Sequence, residues 1–282
     1  VPAARATKPP LGSESQRDAL RHAIETTVIP RLLMAQARLR QEHAPPASLP
    51  PPPAEAIAEL VELLLARAAP AAGFVEAMRA VGTSPESIYL DLLAPAARRL
   101  GVMWEEDECC FTEVTIGLQR LHTILHLLAP DFMGPALKGP AFKGPDLNGY
   151  VEPRRALMVQ APGEQHGLGL SMVVQFFRRD GWAVWNEPVA TSADLVDRVR
   201  HAAVSLIGIS VSCNERLDAL ASDIQAIRKH SKNRGVAIMV GGPIFIEHPQ
   251  LAAMVGADAT AKDGRDAVCK AAKLVSASAA RR

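Results

Sequence analysis

Apolar positions along the chain follow two rhythms, and the change falls near residue 130. Before it they recur every three or four residues. After it, short continuous β-branched runs alternate with helical stretches. The first rhythm predicts helices over 20–41, 54–68 and 71–81. Ser84-Pro85-Glu86-Ser87 reads as an N-cap followed by Pro at the first helical position. It opens a further helix through Ile88, Leu90, Leu92 and Leu93 that Pro95 is expected to bend. Thr112 is placed to cap a last helix reaching about Leu128. Helices joined by short connections imply a bundle.

The second rhythm predicts strands at Ala156–Gln160, Ala183–Trp185, Leu206–Val211 and Val236–Val240, with a weaker one at Ala257–Ala261. Helices are expected near 168–179, 193–202, 216–230, 249–255 and 264–276. Continuous apolar strands separated by helices predict a parallel sheet covered on both faces. The expected fold is therefore an N-terminal helical bundle followed by a doubly wound, Rossmann/flavodoxin-like α/β domain. A ligand of such a domain sits beyond the carboxyl ends of the strands.

Three segments fit neither rhythm. Residues 1–19, rich in Pro, Ser and charge, are expected to be a disordered tail. Residues 44–53 (APPASLPPPP) read as a stiff polyproline connector. Residues 131–153 hold the quasi-repeat GPALK, GPAFK, GPDLN, an extended Gly/Pro linker. The layout is tail 1–19, bundle 20–130, linker 131–153 and α/β domain 154–278.

Composition removes several functions. Lys plus Arg number 31 and Asp plus Glu 30 in 282 residues, a net charge of +1. That balance opposes strong autonomous binding to nucleic acid, leaving weak or indirect DNA association. Seven Phe, three Trp and two Tyr give little aromatic surface for stacking bases. No apolar run reaches the ~18 residues of a bilayer span, so no membrane partner is expected. Four Cys without a Cys-x-x-Cys pair favour a reducing cytoplasm over disulfides or structural zinc. Cys109 and Cys110 follow four acidic residues that raise a thiol's pKa, so both read as inert.

The candidate chemistry lies in three loops at one sheet edge. The first strand runs into Ala161-Pro162-Gly163-Glu164-Gln165-His166-Gly167-Leu168-Gly169. This is neither a dinucleotide fingerprint nor a phosphate loop. It offers a neutral imidazole, His166, as a transition-metal ligand, and a carboxylate, Glu164, to fix its tautomer. Gly167 and Gly169 leave room for a bulky group. The third strand ends in Ser210-Val211-Ser212 and the fourth in Gly241-Gly242-Pro243.

Glu164-x-His166-x-x-Gly169, Ser210-x-Ser212 and Gly241-Gly242 together resemble the cobalamin-binding signature Asp-x-His-x-x-Gly, Ser-x-Leu, Gly-Gly. The gaps, 40 residues from Gly169 to Ser210 and 28 from Ser212 to Gly241, are similar to the family's. The resemblance implies His166 as lower cobalt ligand in place of the cofactor's own base. It implies that Ser210, Ser212, Gly241 and Gly242 line the path of the displaced nucleotide tail, and that Gln165 and Gly167 also bind the cofactor. Glu164 for Asp lengthens the carboxylate arm, and Ser212 for Leu makes the tail slot more polar.

The helical half, through Leu100-Gly101-Val102-Met103-Trp104 and Phe111-Thr112-Glu113-Val114-Thr115, resembles the cap over the upper cobalt face. Light-sensing repressors of the CarH/LitR type carry a Trp there and a later Glu-His pair. Trp104 is kept, while Val114 and Thr115 occupy the pair's positions. Trp104 suits either the cap's cover or the bundle core. His122 and His126, one turn apart, suit packing or surface better than a metal. With no helix-turn-helix ahead of the bundle, the arrangement most resembles the AerR/PpaA antirepressors of photosynthetic bacteria. That implies a non-enzymatic, light-responsive regulator holding hydroxo- or adenosylcobalamin, whose partner is a repressor of the CrtJ/PpsR type. The alternative is a corrinoid methyl carrier of a methyltransferase system.

Overall fold

The computed structural model describes residues 51–66, 71–133 and 154–279. The expected tail, the helix over 20–41, and most of the connector and linker lie outside the described residues.

Among the described residues, four helical elements make the first part. In α1 (Ala54–Leu65) Ala56, Leu60, Val61 and Leu64 fall on one buried face. α2 (Ala71–Ala80) buries Ala71 and Val75. α3 is composite: a turn at Pro85–Ser87, a π-helical stretch at Ile88–Leu93 and an α-helical segment at Ala94–Glu105. Ser84 caps it as expected, its Oγ accepting from Ser87 N–H at 3.0 Å. The bend expected at Pro95 takes the form of the π stretch ahead of it. There Ala94 N–H bonds Tyr89 O, five residues back. The wider turn makes room for a ring that a regular helix would press against its preceding turn.

α4 (Phe111–Met133) is the long helix, and it corrects two expectations. Thr112 lies inside it; the capping carboxylate is Glu113, which accepts Cys110 N–H at 2.8 Å. The helix also continues past Leu128, through the exposed Pro130. The reason is Phe132, whose ring stacks on Tyr89 with centroids 4.2 Å apart. Arg120 of α4 donates to the carbonyls of Leu64 and Ala66, satisfying the open end of α1.

The second part is a five-stranded parallel sheet in the order β2-β1-β3-β4-β5. Its strands are β1 (Arg155–Gln160), β2 (Ala183–Trp185), β3 (Leu206–Ser210), β4 (Ala237–Gly241) and β5 (Ala259–Thr260). Between and after them run α5 (Leu168–Arg179), α6 (Ser192–His201), α7 (Leu217–His230), α8 (Pro243–Glu247), α9 (Leu251–Met254) and α10 (Gly264–Ala279). Alternate strand residues serve opposite faces. Leu157, Val159, Ile207, Ile209, Ile238 and Val240 pack with α6 and α7. Ala156, Met158, Leu206 and Met239 pack with α5 and α10. α8, directly after the double glycine, was not expected from the sequence. Among the described residues no helix is long and apolar enough to cross a membrane.

α5 joins the two parts. Leu170, Val174 and Phe177 belong to the sheet's core. Leu168, Met172 and Phe176 belong to the core of the helical cap. An amphipathic surface helix would leave one face in water; this one buries two.

Candidate functional site

β1, β3 and β4 end level with one another, Gln160 opposite Ser210 and Ser210 opposite Gly241. The order reverses between β1 and β3, the switch point where doubly wound sheets bind ligands. The loop leaving β1 turns sharply: Glu164 N–H bonds Ala161 O at 2.9 Å, with Pro162 and then Gly163 at φ +79° between them. Pro second and a positive-φ glycine third make a type II turn. The turn delivers Glu164 back over the sheet edge.

Glu164 is the hub. Its Oε1 accepts the N–H groups of Gln165 at 2.8 Å and His166 at 3.0 Å. The same oxygen lies 2.7 Å from His166 Nδ1. Its Oε2 accepts Ser212 N–H at 2.9 Å and Ser212 Oγ–H at 2.6 Å. Ser212 Oγ is also 3.0 Å from His166 Nδ1. The Nδ1 proton therefore points at two oxygens, and Nε2 keeps the lone pair. Burial pushes the Glu164 carboxyl up, but the hydrogen bonds from Ser212 and His166 outweigh it and hold the group at about 2. The carboxylate is charged at any ordinary pH.

The exposures divide the roles. The Glu164 side chain is 3% exposed and that of His166 72%. The carboxylate is buried support, and the imidazole stands out with its free nitrogen available. Among the described residues no three His, Cys, Asp or Glu side chains are placed to hold a bare metal ion. One imidazole donor suits a metal whose other positions are already filled.

The glycines of these loops are small for different reasons. A Cβ on Gly169 or Gly241 would meet nothing within 4 Å, so both positions face open space. Gly242 has a different reason: at φ +124° its Cβ would lie 1.8 Å from Val211 O. Only glycine allows the β3 and β4 ends to approach so closely. Gly167 sits against the Gln160 side-chain amide, with 3.4 Å to an added Cβ.

Two residues of this network escaped the sequence reading. Gln160 Nε2 donates to Glu164 O at 3.2 Å. Arg216 Nη1 and Nη2 donate to Pro162 O and Gly163 O at 3.0 and 2.7 Å. No spacing pattern announces either. The expected role of Ser212 changes too: its hydroxyl turns to Glu164 and His166 instead of only lining a slot. The Ser210 carbonyl accepts Ala161 N–H at 3.0 Å, so this serine ties β3 to the loop. Gln165 contributes its backbone N–H.

On the cap, Trp104 is 50% exposed in the last turn of α3, which excludes the bundle core. Val114 is buried. His122 is half-buried, its Nε2 3.5 Å from Ser171 Oγ on α5. Burial, with His126 nearby, lowers its pKa. Cys109 is buried, and burial together with Glu113 raises its thiol, in keeping with an inert role.

Residues 154–272, which span all of these loops, match the B12 binding domain family. Over that span the chain is similar to B12 binding domains. The match begins after the helical cap, which ends at Met133, but a relative covers more. An uncharacterised protein of the bchF-crtJ intergenic region in Rhodobacter capsulatus is 26% identical over 185 residues, 66% of this chain and 90% of the relative. The monomethylamine corrinoid protein of Methanosarcina barkeri shares the fold with a TM-score of 0.65 at 17% identity. That likeness spans 78% of this chain and 98% of the other, so the fold shared with it extends beyond the B12 binding domain.

Proposed function

We propose that this protein is a cobalamin-binding regulator that acts through a partner repressor of the CrtJ/PpsR type. The reading rests on one observation above all: His166 exposes an imidazole whose Nδ1 is held by the buried Glu164. His166 would be the residue that holds the cobalt. Glu164 and Ser212 fix its tautomer and raise its basicity. Gly169 and Gly241 would leave room for the corrin and its tail, and the exposed Trp104 of the cap would contact the cofactor. Bound cobalamin supplies visible-light absorption and an exchangeable upper ligand. The chain's part is to translate the state of that ligand into the placement of the cap, whose surface a partner reads. Support for a regulatory role is the similarity to a Rhodobacter protein from the bchF-crtJ interval.

The test is an absorption spectrum of the desalted protein after mixing with hydroxo- or adenosylcobalamin, in the dark and after illumination. Retained absorbance that changes with light, lost in His166→Ala, is the expected result. Retention without a light response moves the protein to the methyl-carrier reading. Wild-type retention that survives His166→Ala unchanged overturns the ligand assignment.

A further inference from the structure

We propose that Arg216 is the positioning residue of the cobalt-ligand loop, acting on His166 through the turn at Pro162-Gly163 and through Glu164. The inference rests on the cobalamin-binding reading above and deepens it.

A type II turn aims the carbonyl of its second residue away from the turn's own hydrogen bond. Pro162 O therefore needs a partner from elsewhere, and so does the next carbonyl, Gly163 O. Arg216 supplies both from the turn that opens α7, one Nη to each. A planar guanidinium suits this task because its donors are fixed in a fork and never lose their charge. The approach is tight. A Cβ on Gly163 would lie 2.8 Å from Arg216 Nη1, and at φ +79° the backbone already favours glycine. The turn type demands glycine, and an added Cβ would push directly on the Arg216 fork.

The next residue in the chain is Glu164. Its position is set on one side by this turn and on the other by Ser212. Both Ser212 and Arg216 belong to the segment after β3. That segment therefore grips the β1 loop at two points, the turn and the carboxylate. Releasing the turn frees the Pro162–Gly163 peptide to flip toward type I geometry. Glu164 then loses its fixed approach to His166 Nδ1. Arg216 touches neither cobalt nor imidazole, so its effect is on the fraction of protein that presents His166 correctly.

The experiment uses the full chain labelled with ¹⁵N-histidine and loaded with hydroxocobalamin, which is then reduced to the Co(II) form. Electron spin resonance reads the axial nitrogen. A ¹⁵N nucleus splits each cobalt line in two, whereas the cofactor's own ¹⁴N base splits it in three. Absorbance titration gives the affinity. The wild type is expected to show the two-line pattern. Arg216→Ala should bind about tenfold more weakly, the lower end for a supporting partner of a metal ligand. It should also show a mixture of two-line and other patterns. Arg216→Lys keeps the charge but cannot fork, and should fall between. Gly163→Ala presses on the same contact from the other side, and combined with Arg216→Ala it should cost no more than the worse single change. These two variants decide the matter if Arg216→Ala does not fold. A two-line wild type with unchanged pattern and affinity in the Arg216 variants overturns this proposal and leaves cobalamin binding intact. A wild type that binds no cobalamin, or shows no ¹⁵N splitting, overturns both.

Discussion

The two ends of α5 are held by different chemistry. At its start, the loop carrying Glu164 and His166 is fastened by a polar network inside the sheet domain. Contact with the cap there includes the long Ser171 to His122 approach of 3.5 Å. At its end, Phe176 meets Phe132 edge-on at 4.8 Å. Arg179 lies 4.2 Å over the Phe132 ring and pairs with Glu86 of the cap at 2.6 Å. Glu86 also takes Arg265 from the start of α10. The cap is therefore held by aromatic stacking and ion pairs at the far end, and beside the loops by the apolar contacts of Leu168 and Met172 with one long polar approach. Apolar contact is non-directional, so a ligand at the loops can bias the cap's near edge while the far end keeps its geometry.

The strongest way to break this comparison is Phe176→Ala. The ring is 2% exposed and shared between the cap's aromatic cluster and the joining helix. Its loss should cost about 3–5 kcal/mol, the range for a large aromatic removed from a core. If α5 truly joins the parts, urea unfolding followed by circular dichroism shows a single transition shifted to lower denaturant. Two transitions, with the sheet's unmoved, would mean that the parts are stabilised separately.

The near end is sharpened by acid. Glu164 sits at about 2 in the folded protein against an ordinary 4.5. A depressed carboxyl stabilises the fold above its unfolded pKa, and that contribution is lost as pH falls from about 4.5 through about 2. The linkage amounts to roughly 3 kcal/mol. Glu164→Gln should be less stable than the wild type at pH 7, and the gap should close as pH approaches about 2. A gap that stays constant across that window means the network does not depend on the charge.

These same contacts mark what the sequence could disclose. The strand and helix order was legible because burial on both sheet faces leaves continuous apolar runs, as in LIGIS of β3. Ser84 was legible because capping is local chemistry. The continuation of α4 to Met133 was not, since it depends on Tyr89 stacking on Phe132, forty-three residues apart. His166 and the glycines carry a spacing that can be read. Arg216 carries none, because its target is a pair of carbonyls, and any residue has one. The change from Leu to Ser at 212 looked like a separate departure from the signature. The structure joins it to the change from Asp to Glu at 164, since the longer carboxylate reaches that hydroxyl.

A smaller effect comes from Glu86→Gln at the far end. The carboxylate is 23% exposed and Arg265 70%, so much of the attraction is screened. A loss on the order of 1 kcal/mol is expected in denaturant unfolding. Cobalamin affinity should not change, because the site lies at the other end of the helix. A drop in affinity of tenfold or more would show that the two ends are coupled and that the contrast between them is false.

The smallest effect tests the polar contact at the near end. His122 is half-buried, and burial with nearby His126 lowers its pKa from 6.5. For such a histidine the neutral form is the one that fits, so its contribution is fully present above about pH 6.5 and fades as pH falls through the folded value. Asn keeps a polar group near Ser171 without the charge. His122→Asn should therefore lose less stability than the wild type between pH 7 and pH 5, by a margin below that of Glu86→Gln at pH 7. His230, whose pKa is also lowered, titrates alike in both proteins and cancels in the difference. Identical pH profiles for the two proteins would mean that His122 already opens to water in the folded state. The cap's near edge would then be looser than a 3.5 Å approach implies.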